Sequence, residues 1–301
     1  MGMECSIRTD LAVETQESLK KTNSNLRGVN YSEEKRKDDI KVSVVTIETE
    51  NASKLTGRPR GRYVTIEAPQ MTEDDELYRQ SVSEEFAGGL KKMIHDACKK
   101  EEYHTLVVGL GNRDVTPDAL GPSVVDHLYI TRHLLREGFV DHSMEISALC
   151  PGVMAQTGIE TSTIIQSLCR EIRPDLVICI DALAAREAER LNTTIQVCDT
   201  GITPGAGVGN RRLSLNEESL GVPVIAIGVP TVISMPAMIS HAMEGLLEKL
   251  PVAILQQYEG EIVEFIQTPT VSSMFVTPKN IDELIRRVSY TISEAINRFL
   301  T

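Results

Sequence analysis

Apolar and polar positions along the chain follow two periods. Val42, Val44 and Thr46 alternate with Ser43, Val45 and Ile47, which predicts a strand, and a second is expected at 63–67 beyond the turn-like GRPRG of 57–61. Thr72 with Asp75 resembles a capping box, and the helix it opens sets Phe86, Leu90, Met93 and Ala97 on one face. From residue 104 continuous apolar runs take over. They predict strands at 105–109, 144–149, 176–181, 194–198 and 224–229, with helices over 117–137 and 159–172. Near the end, Ile281, Leu284, Ile285, Val288, Ile292, Ile296 and Phe299 recur at helical spacing, with Thr277 as N-cap and Pro278 at the first helical position.

Buried strands alternating with helices mean βαβ units, hence an α/β fold with a largely parallel sheet and helices on both faces. The expected organisation is one α/β domain over 11–301 that carries a β-containing N-terminal extension at 41–70. Residues 1 to 40 are polar and charged, which predicts a mobile or loosely docked arm.

Charge narrows the function. Against 43 Asp plus Glu stand 31 Lys plus Arg, a formal net charge of −12 that repels nucleic acid and anionic membrane. The longest apolar stretch, 222–233, is broken by Pro223 and Pro230 and is too short for a membrane span, and no signal-peptide h-region is visible, so a cytoplasmic location is expected. The six cysteines are scattered without a Cys-x-x-Cys pair and read as small buried hydrophobes in a reducing compartment.

Chemistry is expected beyond the carboxyl ends of the strands. The first such end runs VVGLGNRDVTPDALGP and offers Asp118, with Asp114 as a competitor; the second, LVICID, ends at Asp181. Two carboxylates in one crevice do not easily both ionise, so one can take a proton from water while the other protonates an amide. The plain alternative makes both aspartates caps of a helix or turn. Gly109-x-Gly111 lacks the third glycine of a dinucleotide fingerprint, since Asp114 stands there. The loop 201–212, with Arg211 and Arg212, could cradle an anion, which leaves a nucleotide-binding protein as a second reading and a non-catalytic scaffold as a third. The six histidines form no His-x-x-x-His pair, and neither a metal nor another cofactor is expected.

VVGLGN and VTPDALGP at 107–122, CIDALAAR at 179–186, DTGITPGAGVGNRR at 199–212, IRTDLAVE at 7–14 and SSMFVTPK at 272–279 together resemble the germination proteases of spore-forming bacteria, endopeptidases that degrade small acid-soluble spore proteins. The resemblance implies a phosphorylase/hydrolase-like arrangement similar to the hydrogenase maturation endopeptidases, a homotetramer in the forespore or spore core, and an aspartic-type mechanism. Carried over by motif, its two aspartates are Asp118 and Asp181, in preference to Asp114. It further implies a zymogen that cuts itself after an acidic residue. Thr9-Asp10-Leu11-Ala12-Val13-Glu14 imitates the Thr-Glu-(Ile/Phe)-Ala-x-Glu pattern of the substrates, so the expected processing bond is Asp10–Leu11, which makes 1–10 a propeptide. Asp replaces Glu at the cleaved position. A pocket that reads an acid needs a basic group, and the candidates nearest the motifs are Arg186, Arg211 and Arg212.

Overall fold

The computed structural model describes residues 9–21, 27–100, 102–140, 144–205, 213–247, 260–261 and 264–300. Its sheet contains β1 (Val29–Lys35), β2 (Lys41–Ile47), β3 (Gly61–Glu67), β4 (His104–Gly109), β5 (Glu145–Leu149), β6 (Leu176–Ala185), β7 (Thr194–Cys198), β8 (Val224–Ser234) and β9 (Phe275–Val276). The order is β1-β2-β3-β7-β8-β6-β4-β5, with β9 on β8. β5, β4, β6 and β8 are parallel to one another, whereas β7, β3, β2 and β1 continue the sheet antiparallel. The fold is therefore α/β as expected, with the N-terminal β segment built into the same sheet. β4 is buried at every position, because helices cover both faces of the parallel half. β2 alternates instead, burying Ser43, Val45 and Ile47.

On one face, α3 (Glu76–Ala97), α4 (Leu120–Val125) and the C-terminal helix Ile281–Leu300 pack Phe86, Leu90, Val124, Val288 and Ile292 onto Ile178, Ile180 and Ile227. Across the sheet, α7 (Thr161–Ile172), which follows the short α5 (Arg132–Arg136) and α6 (Met154–Thr157), packs Ile165 and Cys169 onto Val108, Val177 and Cys179. On that same side α1 (Ala12–Lys21), next to α2 (Glu50–Thr56), rests on the far ends of β6 and β8, with Leu11 and Val13 against Leu183, Ala185 and Ile233. Among the described residues no helix is long and apolar enough to cross a membrane.

Four expectations need correction. The polar arm is not loosely docked where it is described: Leu11, Ala12 and Val13 are fully buried, and β1 pairs with β2 along its whole length. The helix expected over 117–137 is a 3₁₀ turn at Thr116–Asp118 followed by α4 and α5. Pro122 has no N–H for the Asp118 carbonyl, and further on the Tyr129 N–H goes to Asn297 Oδ1 (2.9 Å) and the Thr131 N–H to the Ile146 carbonyl (3.3 Å). Asp181 does not end its strand, since β6 pairs with β8 as far as Ala185. Thr277 is not an N-cap: its hydroxyl donates to the Thr231 carbonyl (2.8 Å), and the last helix starts at Ile281.

Candidate active site

The site is built where β4 ends and β6 runs on. Leu110 N–H donates to the Ile180 carbonyl (2.8 Å), which extends the β4–β6 pairing by one residue before the chain turns away. Gly111 makes that turn at φ +107°, and a Cβ there would lie 2.0 Å from the Asp118 carbonyl oxygen. A Cβ on Gly109 would likewise lie 2.5 Å from the Gly121 carbonyl oxygen. These glycines thus let the 116–121 turn press onto the strand exit, which accounts for them without a phosphate. Asp118 Oδ2 accepts from Asn112 N–H (2.7 Å), and Thr231 Oγ1 secures the turn from β8 by donating to the Pro117 carbonyl (2.7 Å).

Asp181 is 6% exposed and accepts from Ala182 N–H (3.0 Å). It stands at the level where β4 has left the sheet, in register with Gly228 of β8, which is in turn in register with Gln196 of β7. Asp118 and Asp181 both line one cleft of about 1010 Å³. Asp114 lies outside it, exposed, with its carboxylate accepting from Gln156 Nε2 (3.0 Å). Among the described residues no three His, Cys, Asp or Glu side chains gather as metal ligands.

The same cleft holds the start of the described chain. Asp10 N–H donates to the Ala184 carbonyl (2.9 Å), and its carboxylate accepts from Ala184 N–H (2.9 Å), so Asp10 adds to β6 three residues past Asp181. Arg58 reaches over from the loop after α2: Nη2 donates to the Thr9 carbonyl (2.8 Å), Nη1 to the Asp10 carbonyl (3.0 Å) and Nε to Thr15 Oγ1 (3.1 Å). Gln196 reads the backbone on either side of Leu11. Its Nε2 donates to the Asp10 carbonyl (3.0 Å) and its Oε1 accepts from Ala12 N–H (2.7 Å).

Glu14, 2% exposed, accepts from the backbone N–H groups of Arg186 (2.8 Å) and Glu187 (3.0 Å) and from the Thr9 hydroxyl, with Arg190 Nη1 at 3.4 Å. Burial raises the carboxyls of both Asp10 and Glu14 above their ordinary values, against the opposing pull of these hydrogen bonds and of Arg58 and Arg190.

The family model for germination protease matches residues 6–254. The chain belongs to the germination protease family. A germination protease of Clostridium perfringens is 44% identical over 97% of this chain and 94% of its own. One of Caldanaerobacter subterraneus is 44% identical over 97% and 93%, and one of Bacillus velezensis 47% identical over 80% and 67%. A solved hydrogenase maturation protease from Thermococcus kodakarensis is similar over 70% of this chain and 97% of its own at 16% identity and TM-score 0.38, too distant to bear on the site.

In this chain, the residues singled out from sequence separate. Asp118, Asp181, Asp10 and Arg186 share the cleft. Arg186, however, turns its guanidinium to Ser18 Oγ (3.1 Å) and offers only its backbone N–H to Glu14. Arg211 and Arg212 lie outside the described residues. Among the described residues, Arg58 is a basic group beside Asp10 and Arg190 one beside Glu14; neither is evident from the motifs. GRPRG reads as a mere turn, yet Gly57 in the left-handed region (φ +67°) ends α2 and throws Arg58 back over the cleft. Gln196 did carry a signal, as an amide side chain set between Ile195 and Val197 in the buried strand TIQVC.

Proposed function

We propose that this protease is an aspartic-type endopeptidase made as a zymogen, with 1–10 as the propeptide and Asp10–Leu11 as the bond it cuts in itself. The observation that supports this reading is that Thr9, Asp10 and Glu14, the polar positions of the segment whose sequence imitates the substrate pattern, line the same cleft as Asp118 and Asp181. Its acidic first position is met by Ala184 N–H and Arg58, and its acidic last position by two N–H groups and Arg190.

In the proposed reaction the ionised member of the Asp118–Asp181 pair takes a proton from water, whose oxygen adds to the Asp10 carbonyl carbon. The protonated member then gives its proton to the Leu11 nitrogen as the C–N bond breaks. In trans, the same cleft takes small acid-soluble, DNA-coating spore proteins during germination and cuts after an acidic residue. The net charge of −12 suits an enzyme that must leave the DNA beneath such substrates. The setting is the forespore or spore core, and the assembly a homotetramer, for which exposed Leu77, Tyr129, Phe139 and Tyr290 offer apolar surface to cover.

Intact mass after mildly acidic incubation tests the reading. The wild type is expected to lose residues 1–10, while Asp118→Asn and Asp181→Asn stay whole and folded. Cleavage that persists in both variants contradicts the assignment.

A further inference from the structure

We infer that Arg58 and Gln196 form the oxyanion site of this protease, holding the carbonyl oxygen of the bond to be cut. The inference rests on the reading of Asp10–Leu11 as that bond. The Asp10 carbonyl receives two side-chain donors, Arg58 Nη1 and Gln196 Nε2, each at 3.0 Å. As water adds to the carbonyl carbon, negative charge collects on this oxygen. Donors at about 2.7–3.1 Å that are fixed beforehand stabilise that charge more than they stabilise the neutral carbonyl.

Both donors are fixed. Arg58 N–H donates to the Ser53 carbonyl (3.2 Å), and its guanidinium lies 5.9 Å from the centre of the Tyr63 ring, whose hydroxyl donates to the Pro59 carbonyl (2.9 Å). Gln196 is 6% exposed on a strand paired on both sides, and its Oε1 is engaged by Ala12 N–H, which orients Nε2 toward Asp10. The register completes the case. Gln196 and Asp181 are two strands apart on the same face, about 10 Å between Cα atoms by ordinary strand spacing, with Gly228 between them in register and the Leu183 side chain seated over that glycine. A Cβ at 228 would lie 2.5 Å from Leu183 Cδ1, so the glycine is what leaves room for that leucine between the two side chains.

A clamp that only pinned the propeptide would show the same contacts, so the test separates chemistry from docking. Self-cleavage of the full chain is followed by mass for wild type, Arg58→Ala and Gln196→Glu. The glutamate keeps the acceptor for Ala12 and loses the donor. Amide hydrogen exchange at residues 11–14 is measured on the same samples. The expected result is a rate lowered by about 10²–10³-fold in each variant, with protection at 11–14 retained and Arg58→Ala partly rescued by free guanidinium. Rates within about threefold of wild type, or slow cleavage with protection lost, would overturn the inference. Wild-type cleavage at another bond overturns the processing reading as well, whereas cleavage at Asp10–Leu11 with clamp-independent rates overturns the oxyanion site alone.

Discussion

Single residues carry the site unevenly, and Gly111 shows how. Its positive φ and the 2.0 Å approach a Cβ would make to the Asp118 carbonyl leave no room for alanine. Gly111→Ala must push the 116–121 turn off the strand exit and take Asp118 with it. The expected outcome is a loss of roughly 1–3 kcal/mol of stability together with self-cleavage close to that of Asp118→Asn; thermal melts and intact mass read the two effects. Normal cleavage in a destabilised Gly111→Ala protein would show that the placement of Asp118 tolerates movement. Asp118 and Asp181 were visible as candidates because apolar runs precede both, though the motif resemblance and not the spacing preferred Asp118 to Asp114. Arg58 was not, because its importance comes from partners 48 and 49 residues earlier in the chain, which no local pattern encodes.

The elements show the same division. Strands β4 and β7 and the C-terminal helix follow from periodicity, since burial on one face or on both dictates where the apolar positions fall. The misread elements are those whose backbone groups find distant partners. After α4, Tyr129 and Thr131 give their N–H groups to Asn297 and to Ile146 of β5 instead of continuing a helix. The described part of the polar N-terminus docks with Asp10 facing Arg58 and with Glu14 and Glu17 facing Arg190. Arg190, 8% exposed, bridges α1 to the body through Glu14 (3.4 Å), Glu17 (2.8 Å) and Glu67 (3.1 Å). These carboxylates hold the guanidinium above even its usual high pKa in spite of burial. Removing one partner of a buried charge network leaves the others uncompensated, so Arg190→Met is expected to cost about 3–5 kcal/mol in urea unfolding and to free α1 to proteolysis. A stability within 1 kcal/mol of wild type, on the order of an exposed ion pair, would mean that the acids re-solvate and α1 is held by Leu11 and Val13 alone.

For the molecule as a whole, the docked segment couples the cleft to pH. Asp10 is faced by Arg58 and Ala184 N–H, and Glu14 by Arg190, the Thr9 hydroxyl and the N–H groups of residues 186 and 187. Even so, burial outweighs these partners, and both carboxyls titrate above their ordinary values of 3.8 and 4.5. The sign follows from linkage: the docked state holds protons that the released segment gives up more readily, so docking strengthens as pH falls. The gain is complete below the ordinary carboxylate values and is lost as pH rises through the raised ones. Amide protection at residues 11–14, corrected for intrinsic exchange, is therefore expected to increase on acidification from pH 8 to pH 5. Glu14→Gln, neutral at every pH, should flatten the part of the profile that Glu14 supplies while Asp10 keeps its own. Protection that falls with acidification would mean that the ion pairs with Arg58 and Arg190 govern docking instead of burial. Processing would then be favoured at neutral pH, the reverse of what the buried acids require.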